Sequence, residues 1–287
     1  MPTVRTNDID TYYERRGTGP PVVFAHGAVL DHSQWRPQVD ALSDDYTAIA
    51  YDVRGHGRTG GSAREAYSVD LFADDLAALV DALDLDRFVL CGLSTGGCIA
   101  QAYAARHSDR LAGLVLADTF APELLDRREW LQRVVMLRAA IPPVRLVGYE
   151  RVEKAMVWLQ ERISGRGVSG DYGEIERLRA EGPKMETDEF AKVIRAVAAF
   201  HETEVDLSAV AVPTLVLRGE HEAPFLRRHA EKLRDEIPDA VLRTVPDAGH
   251  ASNLDNPEFF TRTVRTFLAD HFPRASEGGD ENDERDR

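Results

Sequence analysis

In the stretch "LCGLSTGGCIA", Leu90 to Ala100, the residues Gly92-Leu93-Ser94-Thr95-Gly96 fit the pattern G-x-S-x-G between an apolar run and a helical one. The chemistry such a serine can do is nucleophilic attack on a carbonyl, provided that a tight turn presents its hydroxyl. Glycines belong at both flanks because a Cβ there would collide with backbone. The start of the following helix also aims free N–H groups and partial positive charge at any anion formed beside Ser94. The same letters equally describe a helix capped by a serine after a glycine loop. The pattern therefore needs partners elsewhere in the chain.

A hydroxyl is a poor nucleophile until a group of near-neutral pKa takes its proton, which calls for a histidine. His250 qualifies: "PDAGH" follows the strand-like run "AVLRTV" and precedes the last helical segment. A carboxylate must then orient the ring and stabilise its protonated form. Glu222 in "VLRGEHEAPF", three residues past Gly219, is the leading candidate, and Asp118 at the end of "LAGLVLAD" and Glu220 are its rivals. A tetrahedral intermediate needs two backbone donors for its oxyanion. Thr95, just after the serine, supplies one, and Ala28 in "HGAVLDHSQW" the other. His26 is expected to hold that second loop by a ring hydrogen bond. Asp52, Arg54 and His56 in "DVRGHGRTGGS" read as a bracing turn. No G-x-G-x-x-G follows the first apolar strand run and no phosphate-binding G-x-x-x-x-G-K-[ST] occurs.

These candidates sit at junctions in an alternating pattern. "IDTYYERRG", "PPVVFAHG", "YTAIAYDVRGHG", "RFVLCG" and "LAGLVLAD" read as strands; "SVDLFADDLAALVDALDL", with Ser68 as its N-cap, and "TGGCIAQAYAARH" read as helices. Such alternation predicts a mostly parallel sheet covered on both faces. From Phe120 to Leu207 strand runs cease and helical segments follow one another. Alternation resumes with "VPTLVLRG", "PFLRRHAEKLRDEI", "AVLRTVPDAG" and "NPEFFTRTVRTFLADHF". One core, residues 1–119 and 208–273, is therefore expected to carry a helical cap, residues 120–207. The segment 274–287 has almost no apolar residues and is expected to be a disordered acidic tail. Within the cap, Trp130, Met136, Trp158 and Phe200 are candidate pocket walls, although packing inside the cap's own core is the plainer expectation.

The chain has 287 residues, 43% of them hydrophobic, and a formal charge of −14, which argues against nucleic acid as a partner. No apolar run approaches membrane-spanning length, and the polar start "MPTVRTNDID" has no signal-peptide core, so no membrane association and a cytoplasmic location are expected. Cys91 and Cys98 flank Ser94 without metal-site spacing and are read as buried thiols.

Taken in order, "HGAVLDHSQW", "DVRGHGRT", "GLSTGG", "GEHE" and "DAGHASNLDNPE" resemble the α/β-hydrolase fold superfamily over residues 3 to 272. The chain looks most like its cofactor-independent serine hydrolases, the 3-oxoadipate enol-lactonases, esterases and non-haem haloperoxidases. The resemblance implies a doubly wound, mostly parallel eight-stranded α/β sheet with the helical cap inserted after the sixth strand. It also implies roles for Ser94, Glu222 and His250 without metal or organic cofactor, on a small-molecule ester or lactone. An aspartate at the acid position would be the commoner pattern. Haloalkane dehalogenases and epoxide hydrolases of this fold place aspartate at the nucleophile, so Ser94 favours acyl chemistry. C–C bond hydrolysis or perhydrolysis by the same three residues, and small-molecule reception on a hydrolase scaffold, are the alternatives.

Overall fold

The computed structural model describes residues 2–164, 168 and 172–273, and the acidic tail expected past Pro273 lies outside them. Eight strands form one sheet: β1 (Thr3–Thr6), β2 (Ile9–Arg16), β3 (Pro21–Ala25), β4 (Thr47–Tyr51), β5 (Phe88–Leu93), β6 (Leu111–Ala117), β7 (Thr214–Gly219) and β8 (Ala240–Val245). Their order is β1-β2-β4-β3-β5-β6-β7-β8. β1 and β2 pair antiparallel, as do β2 and β4, and all other pairs are parallel.

The central strands are apolar throughout because both faces are covered. Side chains alternate between two cores: Val22, Phe24, Val89, Cys91 and Val115 join one, while Val23, Ala25, Leu90, Leu114 and Leu116 join the other. Helices α1 (Arg36–Leu42) and α12 (Pro257–His271) cover the first face, the latter through Phe260, Val264 and Leu268. Helices α2 (Val69–Ala82) and α3 (Thr95–His107) cover the second. Ser68 caps α2 by accepting the Leu71 N–H. Both cysteine thiols are buried, and burial pushes both up.

Between β6 and β7 the described regular elements are helical. α4 (Arg127–Trp130) passes through a π-helical turn, Leu131–Met136, into α5 (Leu137–Ala139). α6 (Ile141–Val147), α7 (Tyr149–Ser164), α8 (Tyr172–Glu181) and α9 (Thr187–Ala198) follow, and α10 (Pro224–Glu236) and α11 (Ser252–Asp255) lie beyond β7. One expectation needs correction here. Trp130, Met136 and Trp158 are about half exposed, at 47%, 46% and 61%, and do not build an internal core. Trp130 and Met136 stand at the two ends of the π-helical turn, whose extra residue breaks the 3.6-residue spacing that would have aligned them with the helices on either side. Trp158 instead lies under the Arg162 guanidinium, 5.5 Å from its ring centre. Phe200 alone of the four is fully buried, 6.0 Å from the Phe120 ring. Among the described residues no helix is long and apolar enough to cross a membrane.

Register brings the carboxyl ends of the parallel strands level: Ala25 pairs Gly92, Leu93 pairs Ala117, and Gly219 pairs Val245. At this rim β5 turns into α3 with almost no clearance. A Cβ on Gly96 would lie 2.0 Å from the Ala25 carbonyl oxygen, and one on Gly92 would lie 2.2 Å from that of Gly96. Gly60 is a useful contrast, with φ +65° but open space around it. Gly96→Ala is expected to destabilise the fold by about 3 kcal/mol, and Gly60→Ala by about 1 kcal/mol through backbone conformation alone. Chemical denaturation midpoints will rank them; a larger loss for Gly60→Ala contradicts the clearance argument.

Candidate active site

Ser94 ends β5 in a conformation, φ 54° and ψ −115°, that few non-glycine residues adopt. Neighbours hold it there. Its N–H donates to the Ala117 carbonyl at 2.9 Å, and its carbonyl accepts the Thr119 hydroxyl at 2.8 Å and the Cys98 N–H at 3.1 Å. The side chain is thereby lifted out of the helix-cap geometry: no capping bond forms from Ser94. This answers the alternative reading of the motif as a serine cap.

The hydroxyl instead meets His250. The distance from Ser94 Oγ to His250 Nε2 is 3.0 Å, and from His250 Nδ1 to Glu222 Oε2 it is 2.9 Å. In the neutral ring the Nδ1–H must be the donor to Glu222, since a carboxylate can only accept; Nε2 is then left to accept the serine proton. Glu222 is almost wholly buried, and its other oxygen accepts the Ala223 N–H at 2.8 Å. The loop bearing His250 is itself tied down. Its backbone N–H donates to the Val168 carbonyl at 3.1 Å, and the Gly249 N–H donates to Asp255 Oδ2 at 2.7 Å.

The three candidate acids separate clearly in space. Asp118 is buried, but its two oxygens accept the N–H groups of Gly219 at 2.9 Å and Ser252 at 3.0 Å, so it ties the Glu222 loop to the segment after His250. Glu220 is exposed and accepts the Asp247 N–H at 3.0 Å. Only Glu222, of these three, has a hydrogen bond to the His250 ring.

Electrostatics follow from this burial. Burial alone would push the His250 ring down, but the Glu222 carboxylate, by charge and hydrogen bond, outweighs it with help from Asp118 and Asp255, raising the ring from 6.5 to about 9. Asp118 is raised as well, which for a carboxyl favours the neutral form: burial first, then the Glu222 charge, raise it to about 8. The Glu222 charge thus adds to burial in disfavouring an ionised Asp118.

The second loop at the rim is rigidly supported. His26 is fully buried, and burial, with His56 beside it, lowers its ring to about 3, so it stays neutral. Its Nδ1–H donates to the Gly27 carbonyl at 2.8 Å while Nε2 accepts the Val53 N–H at 3.0 Å. The Gln34 side chain accepts the Gly27 N–H at 2.8 Å. Gly27 stands beside the nucleophile turn: its missing Cβ would lie 3.5 Å from the Ser94 Cβ. Ala28 follows directly. Thr95 is the first residue of α3, where a backbone N–H has no acceptor within the helix.

Asp52 and Arg54 brace as the spacing suggested. Asp52 accepts the N–H groups of His32 and Arg58, and buried Arg54 pairs with Asp75 at 2.6 Å and Asp8 at 2.8 Å. Among the described residues two groups have metal-ligand types close together, Asp31-His32-Asp52 and Glu220-His221-Asp247. The first is knit by its own hydrogen bonds, including His32 Nδ1 to Asp52 Oδ1 at 2.7 Å, and neither group contains Ser94, Glu222 or His250. Thr119 and Val168 carried no motif in the sequence, because each acts on a backbone group far along the chain: the Thr119 hydroxyl on the Ser94 carbonyl and the Val168 carbonyl on the His250 N–H.

Known proteins share this arrangement of elements. A thermophilic esterase from Thermogutta terrifontis, solved with malate bound, superposes with a TM-score of 0.77 at 29% identity, covering 94% of this chain and all of that one. The enol-lactonase from Burkholderia xenovorans LB400 gives a TM-score of 0.76 at 27% identity over 93% of this chain and all of its own. A putative non-heme chloroperoxidase from Synechocystis is 29% identical over 277 residues, 91% of this chain and 95% of that protein. Esterases and enol-lactonases among the relatives support hydrolase activity here. Residues 20–257 match the alpha/beta hydrolase fold, and with the sheet order and rim just described, the chain belongs to that family.

Proposed function

We propose that this protein hydrolyses a carboxylic ester or lactone through an acyl-enzyme on Ser94. The observation that carries the reading is the unbroken relay from Ser94 Oγ through the His250 ring to buried Glu222, with steps of 3.0 and 2.9 Å. In this mechanism His250 Nε2 takes the hydroxyl proton as Ser94 Oγ bonds to the substrate carbonyl carbon. The carbonyl oxygen gains the electron pair and is held by the N–H groups of Ala28 and Thr95. Glu222 stabilises the imidazolium, which returns its proton to the leaving alcohol oxygen as the C–O bond breaks. Water then gives a proton to His250 Nε2 as its oxygen bonds to the acyl carbon, and the imidazolium returns that proton to Ser94 Oγ as the acyl C–Oγ bond breaks, releasing the acid and free Ser94. In a lactone the alcohol remains tethered to the acid, so ring opening gives a single hydroxy-acid product. Residues 1–119 and 208–273 form the catalytic core and 120–207 the cap over the rim.

The partners follow from the same chemistry: a small-molecule ester or lactone, with no nucleic acid and no metal or organic cofactor required. Perhydrolysis and C–C bond cleavage would use the same three side chains, and a panel of esters, lactones and β-diketones separates them.

Ser94→Ala is expected to reduce p-nitrophenyl acetate turnover by about 10⁵–10⁶-fold with the melting temperature preserved. Wild-type turnover surviving in that variant rules out the acyl-enzyme. Glu222→Gln is expected to cost about 10⁴-fold in kcat. Asp118→Asn should instead act mainly on stability, by about 1–3 kcal/mol, because its amide nitrogen faces one of two backbone donors. A larger kcat loss for Asp118→Asn than for Glu222→Gln transfers the orienting role to Asp118.

The direction of the His250 shift sets the pH dependence. The ring must be neutral to accept the serine proton, so the rate falls as pH drops below its pKa, and raising that pKa moves the loss to higher pH. The acid limb of kcat/KM is therefore expected above the ordinary 6.5, toward about 9. Glu222→Gln removes the principal anion holding the ring up, so its limb should move to lower pH. A variant limb that stays in place shows that another group titrates.

A further inference from the structure

Val29, one residue past Ala28, has φ 57°, the left-handed region that a β-branched side chain enters only at a cost. Two contacts hold it, and both come from the cap. The Arg179 Nε–H on α8 donates to the Val29 carbonyl at 3.1 Å. The Val29 side chain packs against the apolar cluster of Ile141, Val144, Tyr149, Phe190, Ala191 and Ile194. Around them the same cap segment touches the loop again: a Cβ on Gly182 would lie 2.3 Å from Asp31 Oδ2, and Arg36 pairs with Glu181 at 3.0 Å.

α8 reaches the base as well. Its Leu178 is buried with Ala251 and Leu254, immediately after His250, and the Val168 carbonyl just before α8 accepts the His250 N–H. One cap helix thus bears on both loops that must stand level with Ser94. A small cavity of about 20 Å³ lies between α8 and the loop, lined by Val29, Asp31, Ser33, Leu178 and Arg179 among others. That is room for roughly one water, so the contact is nearly closed.

We infer that Arg179 is a positioning residue: by pinning the Val29 carbonyl it holds the Ala28 loop in the shape that the oxyanion site requires, and so couples the seating of the cap to catalytic competence. The inference rests on the ester-hydrolase reading for its effect on rate, but not for its effect on the loop. Without the pin, Val29 can relax toward negative φ, which reorients the adjoining Ala28–Val29 peptide and twists Ala28 against the Gly27–Ala28 peptide, whose N–H is the donor and whose carbonyl is held from the core side by His26 Nδ1. Ser94, His250 and Glu222 keep their mutual distances, since Arg179 touches none of them.

Hydrogen exchange read by mass spectrometry on Arg179→Ala and on Arg179→Met, which keeps a long apolar side chain without a donor, tests the pin without needing any substrate. Exchange across 27–33 should quicken in both variants while the peptide across α2 stays as in the wild type. Unchanged exchange in the loop overturns the proposal whatever the enzyme acts on. With p-nitrophenyl acetate, kcat should fall about 10–100-fold while KM moves less than about threefold, and added guanidinium ion should restore part of kcat in Arg179→Ala. A loss confined to melting temperature, with kcat intact, also overturns it. Val29→Gly removes the conformational cost that the pin opposes. Arg179→Ala should therefore lose much less kcat in the Val29→Gly background, and full additivity counts against the coupling. Should wild-type enzyme turn over no ester at all, the functional reading falls while the exchange result still decides the pin.

Discussion

The left-handed backbone of Ser94 is the constraint that the surrounding structure answers. A serine at φ 54° and ψ −115° persists only if neighbouring bonds over-determine it. Here β6 supplies the acceptor for its N–H through Ala117, Thr119 supplies the donor for its carbonyl, and α3 starts at the next residue. All of this requires backbone to approach backbone, hence Gly92 and Gly96, and Gly97 against the Thr119 side chain. The strain does work for the site, because a serine in ordinary cap geometry would turn its oxygen back toward the helix N–H groups and away from His250.

Burying a carboxylate at the end of β7 creates a second demand. Charge taken out of water must be compensated nearby, and Glu222 meets one N–H at Ala223 and the His250 ring. A ring so placed is biased toward its protonated form, which is the form that must be stabilised while it holds the serine proton. Asp118 adds a third ionisable group to the same buried volume. Its two backbone bonds join the loops after β7 and β8, so it fixes the spacing of acid and base without needing a charge of its own.

Much of this was legible in the sequence, and the limits have physical causes. Strands announced themselves by apolar runs and the rim by glycines at their ends, so the doubly wound sheet and the meeting of Ser94, Glu222 and His250 at one edge could be anticipated. β1 could not be read from pattern, because "TVRT" is too short and too polar to show alternation, and its place comes from pairing with β2. Choosing among Glu222, Asp118 and Glu220 was equally beyond local reading. The choice depends on which backbone amides capture each carboxylate, and those of Asp118 lie 101 and 134 residues away in the chain. In the helical segment, amphipathic spacing marked the helices, but the chain passes through a π turn at Leu131–Met136 and both Trp130 and Met136 are half exposed. Period alone does not register such an insertion.

The division of labour between sheet and helical segment explains where variation can enter. The sheet brings Ser94, Glu222 and His250 together through short bonds at strand ends, and these distances leave little freedom. The loop after β3 is different. Val53 holds His26, and His26 and Gln34 hold Gly27 from the core side, whereas Val29 two residues later is held from the other side by Arg179 and the apolar cluster of the helical segment. Ala28 lies between an anchor in the core and an anchor in the helical segment. The same α8 that holds Val29 also backs the turn that follows His250, so the loop after β3 and the loop after β8 share one helical support, while the bonds joining Ser94, His250 and Glu222 are made at the strand ends and do not pass through it.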